Sequence, residues 1–143
     1  MTKNKKINGF LYFPAAGLVI SCMTGSLNGV GIIALFISKF YHNEPVSKWL
    51  AIITLTGSFV YLLTLYTATF SFFKKLKKTK YIMVSYYLVN ISTNAPLIFY
   101  SWLMLDIQLE LKEIGILASL IFDIIVLVPY FLLSKRIDTV FDR

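Results

Sequence analysis

Asp123 has the clearest capacity for chemistry, because it is the one charged side chain in an otherwise apolar run, 114–134. A charged carboxylate at the centre of a membrane costs about 2.5–3.5 kcal/mol on insertion scales, and ionisable residues at that depth are usually functional. Asp123 could therefore bind a proton or a cation. It could equally be a neutral carboxyl that holds helices together by hydrogen bonds. Both hypotheses stay open at the level of the sequence.

Other residues that catalyse reactions or bind metals are scarce. One Cys and one His cannot form an intramolecular disulfide or a Cys-based zinc cluster. The sequence has no HExxH, GxSxG, P-loop or GxGxxG motif, and no His or second acid shares the apolar runs with Asp123. We therefore predict that the protein is not an enzyme and has no catalytic residue, no metal site and no cofactor.

Long runs without charge dominate the 143 residues, of which 57% are hydrophobic and 15% are charged. An ordinary soluble domain has about 25% charged residues. A helix needs roughly 20 apolar residues to cross a hydrocarbon core of about 30 Å, and a backbone in lipid must bond to itself. We predict a single all-α domain over residues 1–143, an integral membrane four-helix transmembrane bundle with spans of about 10–38, 49–73, 81–105 and 114–134.

The connections between these runs alternate in basic charge. The N-terminal segment, the loop 74–80 and the C-terminal tail hold eleven of the 14 Lys and Arg residues, and the other two connections hold three. The positive-inside rule then predicts that the loop 74–80 and both termini are cytoplasmic. Trp49 and Trp102 fall at the predicted external interface, where indole rings are common.

The clustered cations also predict partners. A short basic loop between two spans stays at the membrane surface, so we expect contact with anionic lipid in the bilayer and no binding of nucleic acid. The residues predicted to make this contact are Lys74, Lys75, Lys77, Lys78, Lys80, Lys135 and Arg136.

A stripe of small and polar residues follows one face of each predicted helix. In the first span this stripe consists of Gly17, Ser21, Thr24, Asn28 and Gly31. At about 1.5 Å of rise per residue, one polar side chain from each stripe comes to lie near the bilayer centre. We predict that these side chains form an intramembrane polar layer inside the bundle, consisting of Asp123, Asn94, Asn28 and Ser58.

Two prolines within the predicted spans should alter the helix backbone. Pro96 and Pro129 have no N–H, so the carbonyls of Ser92 and Ile125 lose their helical partners. We expect the third helix to kink at Pro96. The free Ser92 carbonyl is then a further expected neighbour of Asp123.

Small and aromatic residues make weaker predictions about packing. Gly25 and Gly29 form a Gly-x-x-x-Gly pair, which could bring two backbones together within the bundle or between protomers. The aromatic residues at 10–13, 72–73 and 130–131 are predicted to be interface anchors and lipid-facing side chains.

Both ends of the chain resemble a known family. The segment 7–18, INGFLYFPAAGL, resembles the opening of the YdgK-like family of small bacterial inner-membrane proteins, which usually reads Gly-Gly-Trp-Leu, a short apolar stretch, Pro, two residues and Gly-Leu. The segment 129–137, PYFLLSKRI, with Phe141 after it, resembles the closing Pro-Tyr-Phe, Ser-Lys-Arg-Val and Phe pattern of that family.

The sequence departs from this family pattern at three positions. Asn8 and Phe10 stand where Gly and Trp are usual, and Asp138 stands where a basic residue is common. The resemblance implies a domain of unknown function, a multi-pass location in the bacterial inner (cytoplasmic) membrane, and no established activity or site residues.

Two classes of function follow from the sequence. The first hypothesis is a non-enzymatic membrane protein that acts through membrane protein partners, as a regulator, an accessory subunit or an immunity factor. The alternative is a small oligomeric carrier or channel, coupled to protons or cations, that uses Asp123. A partner protein predicts a stoichiometric complex, whereas a carrier predicts ligand binding that Asp123→Asn abolishes.

Overall fold

Helices make up every element of the chain that the structure describes. The computed structural model describes residues 9–42, 48–104 and 111–141. Lys3, Lys5, Lys6 and Arg143, and residues 105–110 of the predicted second external loop, lie outside the described residues. In chain order the elements are a 3-10 turn (Gly9–Leu11), α1 (Tyr12–Tyr41), α2 (Lys48–Lys74), α3 (Thr79–Met104), α4 (Leu111–Phe122), a π-helical turn (Asp123–Leu127), α5 (Val128–Leu133) and α6 (Lys135–Val140).

Three helical stretches within the described ranges are long and apolar enough to cross a membrane. They are Gly9–Tyr41, Ala51–Lys74 and Leu111–Leu133, which is compatible with a multi-pass membrane protein. The remaining predicted span, 81–105, corresponds to α3, which has 26 residues and no charged residue after Lys80. Its hydropathy is lower than that of the other three because it carries two amides, Asn90 and Asn94, among several hydroxyl groups.

The core of the bundle lies where the helices meet in chain order, α1 against α2, α2 against α3 and α3 against α5. Phe72 of α2 and Phe131 of α5 are fully buried, and their ring centroids are 6.4 Å apart. Tyr87 of α3 is buried beside Phe131, with a centroid separation of 6.2 Å. The sequence-based prediction that the aromatic residues at 72 and 131 face lipid is therefore wrong.

One end of the bundle gathers the start of α1, the turn between α2 and α3, and α6. The Phe141 ring, just after α6, lies 5.2 Å from the Phe72 ring. Gly9 packs against the Arg136 guanidinium, because a Cβ atom added to Gly9 would lie 3.2 Å from that group. We call this end, consisting of residues 9–11, the turn 74–80 and residues 135–141, the basic end.

The seam between α1 and α2 uses the Gly-x-x-x-Gly pair. A Cβ on Gly29 would lie 3.0 Å from Leu62 Cδ1, and a Cβ on Gly25 would lie 3.2 Å from Leu65 Cδ2. Cys22 Sγ and Thr69 Oγ1 lie 3.2 Å apart across the same seam. Of the two placements left open for the glycine pair, the structure shows the one within the bundle.

The buried face of α1 is consequently not the predicted one. Gly25 and Gly29 are buried, whereas four members of the predicted stripe are exposed, Gly17, Thr24, Asn28 and Gly31. Successive residues of a helix are separated by about 100°, so the two stripes lie on adjacent faces. α1 packs closely against side chains of α2 through the face that carries Gly25 and Gly29, because neither glycine has a Cβ that would keep the helices apart.

The turn from α2 to α3 is closed by backbone bonds around Lys75, which has a φ of 56°. Its N–H bonds to the Phe72 carbonyl, and the next N–H bonds to the Ser71 carbonyl, a Schellman arrangement that is usually built on glycine. Thr79 is fully buried, and its hydroxyl donates to the Ser71 carbonyl at 2.8 Å.

α4, the π-helical turn and α5 together form one continuous helical stretch, Leu111–Leu133, which we call the last long helix. Its geometry changes just before Pro129. The Val128 N–H bonds to the Asp123 carbonyl, five residues back, because the following proline has no N–H to continue the α pattern. Such π turns are rare and often lie at functional sites. Pro96, by contrast, lies inside α3, which continues to Met104.

The last long helix ends at Ser134, as the sequence predicts, where the backbone is extended (ψ 117°). A short helix that the sequence analysis missed, α6, then folds back on the core. It buries Ile137 and Val140, and Phe141 follows. Their spacing of three and four residues is the apolar periodicity of an amphipathic helix, so the signal was present in the sequence.

Candidate intramembrane polar site

Asp123 lies half-buried at the start of the π-helical turn. Asn90 of α3, also half-buried, donates a hydrogen bond from Nδ2 to Asp123 Oδ2, with a long separation of 3.5 Å. The contact joins α3 to the last long helix near the middle of both. The hydrogen-bond partner of the Asp123 carboxylate on α3 is thus a neutral amide.

Asn94 determines which way the Asn90 amide points. Asn94 Nδ2 donates to the Asn90 carbonyl at 2.9 Å and to Asn90 Oδ1 at 2.8 Å. Residues four apart lie on one face of a helix, so this pair forms without distortion of α3. Because Oδ1 of Asn90 accepts from Asn94, its NH₂ group is left to face Asp123.

Three tyrosine side chains pack together near the same carboxylate. Tyr61 of α2 and Tyr86 of α3 have ring centroids 6.2 Å apart, and Tyr87 lies 5.3 Å from Tyr86. All three phenols are close enough to interact with the charge of Asp123, and Tyr86 also interacts with Ser21 of α1. Side chains from every long helix therefore contribute to one polar cluster.

This arrangement can hold a proton or coordinate a small cation. Carboxylate oxygens are ligands that hard cations prefer. The Asn90 oxygen already accepts from Asn94, so Asn90 presents a hydrogen-bond donor to Asp123 and not a second cation ligand. The described residues include no group of three or more His, Cys, Asp or Glu. One carboxylate among neutral donors suits a proton or a monovalent cation better than a transition metal.

The predicted polar layer is assembled in part. Asp123 and Asn94 belong to one cluster, but they are joined through Asn90, which was not in the predicted layer. Ser58 is half-buried and lines a cleft between α1 and α2. Asn28 is exposed, as is Ser92, whose carbonyl was an expected neighbour of Asp123.

The cluster residues that were absent from the predicted layer could have been recognised from their spacing in the sequence. Asn90 and Tyr86 lie four residues apart on the stripe of α3 that also contains Asn94. The depth of each residue was estimated by counting from the external end of the apolar run. That end was uncertain by about one turn, so the estimate selected Asn94 instead of Asn90. Tyr61 lies on the corresponding stripe of α2.

The residues predicted to contact anionic lipid share the basic end. Lys80 Nζ lies 3.4 Å from Asp138 Oδ1, and Lys74 Nζ lies 4.4 Å from the centre of the Phe70 ring. Arg136 lies beside Gly9. The other four are also in the turn or in α6, three of them exposed and Lys75 half-buried; they are Lys75, Lys77, Lys78 and Lys135.

A family model described as a protein of unknown function, DUF2569, matches residues 4–141. Neither a curated protein nor a solved structure matches the chain.

Proposed function

Because the chain belongs to the DUF2569 family, whose function is unknown, we propose a role from the geometry of the chain itself. The protein is a non-enzymatic, multi-pass membrane protein that acts by binding a transmembrane helix of a partner protein. The observation that carries this proposal is the exposed carboxamide of Asn28, in the middle of the apolar stretch Gly9–Tyr41.

An exposed amide at that depth needs a hydrogen-bond partner. In hydrocarbon, an unpaired polar group costs several kcal/mol, and Asn side chains are among those that hydrogen-bond across membrane helices. The hydroxyl of Thr24, one turn away, already donates to the Ile20 carbonyl at 3.0 Å. Asn28 is therefore the group on this face that a second helix would satisfy.

The same face of α1 allows a close approach. No atom lies within 4 Å of the positions that a Cβ would occupy on Gly17 and Gly31, and both residues are exposed. Small residues at a helix surface let another backbone come near. The face suits one apolar helix that carries small residues and a single hydrogen-bonding side chain.

The proposal includes four crossings with both termini in the cytoplasm. An even number of crossings brings the start of α1, the α2–α3 turn and α6 to one side of a membrane, and these segments share the basic end. The positive-inside rule supports the cytoplasmic side. The resemblance to the YdgK-like family supports the bacterial inner membrane.

Purification of the protein with its native lipids tests the partner proposal. We expect one second protein in stoichiometric amounts, and Asn28→Leu should reduce its recovery about tenfold, the equivalent of one interhelical hydrogen bond. Ser119→Leu is the matched control, because Ser119 is exposed and its hydroxyl bonds within its own helix, to the Ile116 carbonyl. Self-association alone, with no second protein, would overturn the proposal.

A second candidate function is a proton- or cation-coupled carrier or channel. The contact of Asn90 with Asp123, next to a π turn, favours it. Flux of protons and of monovalent cations into liposomes that contain the purified protein tests it. Flux should exceed that of protein-free liposomes, and Asp123→Asn should abolish it. Equal flux for the wild type and Asp123→Asn would exclude Asp123 as the coupling residue.

A further inference from the structure

A shallow groove lies between α2 and α3 on the outer surface of the bundle. It has a volume of about 440 Å³ and is lined almost entirely by hydrocarbon. Leu63 and Thr67 line it from α2, and Ile82 and Ser85 line it from α3. Lys78, in the turn at the basic end, also lines the groove. We call the end of the groove beside Lys78 its mouth.

The two threonines of this lining add little polarity. The Thr67 hydroxyl donates to the Leu63 carbonyl at 2.6 Å. The hydroxyl of Thr64, which also lines the groove, donates to the Val60 carbonyl at 3.0 Å. Because both hydroxyls are satisfied within α2, the α2 side of the groove presents an apolar wall to whatever occupies it.

The mouth of the groove is cationic. Lys78 is exposed, and within the described residues no ion pair involves it. Lys80 differs, because it pairs with Asp138 at 3.4 Å. Tyr81 also lines the mouth and is 64% exposed, and tyrosine rings favour the headgroup level of a bilayer.

We propose that this groove binds one molecule of an acidic glycerophospholipid, with the phosphate against Lys78 and an acyl chain along Leu63 and Ile82. At 1.5 Å per residue, Ser85 lies about 10 Å further along the axis of α3 than Lys78. Lys78 and the apolar wall are therefore separated along the helix axis, in the same order as the headgroup and the acyl chain of a lipid in the bilayer. A helix of another protein would leave Lys78 unused, and free phosphate would leave the apolar wall empty.

The inference rests on the proposed crossing of the membrane by α2 and α3, and it does not depend on the partner protein. Native mass spectrometry of the purified full chain in detergent tests it, with dioleoylphosphatidylglycerol and dioleoylphosphatidylcholine titrated separately. We expect one phosphatidylglycerol per chain, bound in preference to phosphatidylcholine. Lys78→Gln should weaken phosphatidylglycerol binding about tenfold or more, as expected for a hydrogen bond to a charged group.

Lys77→Gln is the matched control, because Lys77 is exposed in the same turn but does not line the groove. It should weaken phosphatidylglycerol binding about fivefold or less, the effect of one charge near a lipid surface. Lys78→Arg should retain binding. Ser85→Phe, which fills the groove, should weaken the binding of both lipids.

Three results would overturn the proposal. Equal losses for Lys77→Gln and Lys78→Gln would mean that the whole basic end attracts the lipid. Displacement of phosphatidylglycerol by excess inorganic phosphate would mean that only the headgroup is recognised. No effect of Ser85→Phe would place the lipid elsewhere. Because no partner is present in this experiment, these results leave the proposed partner binding untouched.

Discussion

At the scale of single residues, the contact between Asn90 and Asp123 does not depend on the charge of the carboxyl group. An oxygen of that group can accept a hydrogen bond in both its ionised and its neutral form. An ion pair, by contrast, would be lost on protonation. The contact therefore suits both a structural hydrogen bond between helices and a site that gains and loses a proton.

Replacement of Asn90 measures what this contact contributes to stability. Asn90→Leu should lower the free energy of unfolding by about 0.6–1.7 kcal/mol, the range found for side-chain hydrogen bonds between membrane helices. Denaturant unfolding in detergent micelles measures the change. Ser92→Leu, on the exposed side of α3, is the control and should have little effect. A more stable Asn90→Leu protein would contradict the structural role.

Lys75 has a backbone conformation that glycine adopts more easily. Its φ of 56° places it in the left-handed region, which costs a side-chain-bearing residue roughly 1–2 kcal/mol. Lys75→Gly should therefore raise stability by up to about 1 kcal/mol relative to Lys75→Ala. Thermal unfolding of the two variants, which lose the same charge, isolates the backbone effect. Equal stabilities would contradict it.

At the scale of helices, the seam between α1 and α2 depends on side chains of α2 that occupy the space beside two glycines. The nearest atoms belong to Leu62 at Gly29, and to Leu65 and Tyr61 at Gly25. Burial of apolar side chains gives little driving force in lipid, so close packing must hold the two helices together. The hydrogen bonds between Cys22 and Thr69 and between Ser26 and Tyr66 add to this packing.

A large side chain at Gly29 should separate α1 from α2. Gly29→Leu should destabilise the protein by about 1–3 kcal/mol, the usual cost of overpacking. Gly17→Leu is the matched control, since no atom lies within 4 Å of its Cβ position. Denaturant unfolding in micelles compares the two. Similar losses for both variants would show that the seam does not depend on the glycine pair.

Phe141, just after the small helix α6, helps to hold that helix to the core. Its side chain is 3% exposed and packs on Phe72, so Phe141→Ala should cost about 3 kcal/mol and increase proteolysis after Ser134. Thr139→Ala, at an exposed position of α6, should leave both properties close to the wild type. Unfolding and limited proteolysis measure the two effects. Resistance of the Phe141→Ala protein to protease would contradict this role.

At the scale of the whole molecule, charge and core lie together at the basic end. The Phe72 and Phe131 rings pack just inside the turn that carries Lys74 to Lys80. Asp138 pairs there with Lys80. Fully buried core residues thus lie next to the region that is proposed to meet the cytoplasmic lipid surface.

Cysteine labelling tests the proposed topology, and α3 in particular. In a chain with Cys22→Ala, a membrane-impermeant maleimide should label Lys112→Cys in intact cells. It should label Lys77→Cys and Lys135→Cys only after the membrane is permeabilised. If Lys77→Cys and Lys112→Cys react alike, α3 does not cross the membrane. If Lys135→Cys reacts like Lys112→Cys, the last long helix does not cross it.

The four long helical stretches were predicted from the sequence, whereas the π-helical turn and α6 were not. Long runs without charge predict helices because a backbone in lipid must bond to itself, and Ser134 ends the last long helix as predicted. The sequence also singled out Asp123 and Asn94, because polar residues in an apolar run stand out; their role in a polar layer stays a prediction. These properties depend on neighbours along the chain.

The packing of the helices on one another determines which side chains face inward. In lipid, an apolar residue gains little by burial, so hydropathy does not distinguish the buried Phe72 and Phe131 from the exposed Phe13 and Phe73. Two adjacent faces of α1 carry small residues, and contact with Leu62 and Leu65 selects the one with Gly25 and Gly29. In the same way, the packing of α3 on the last long helix brings Asn90, rather than Asn94, to Asp123.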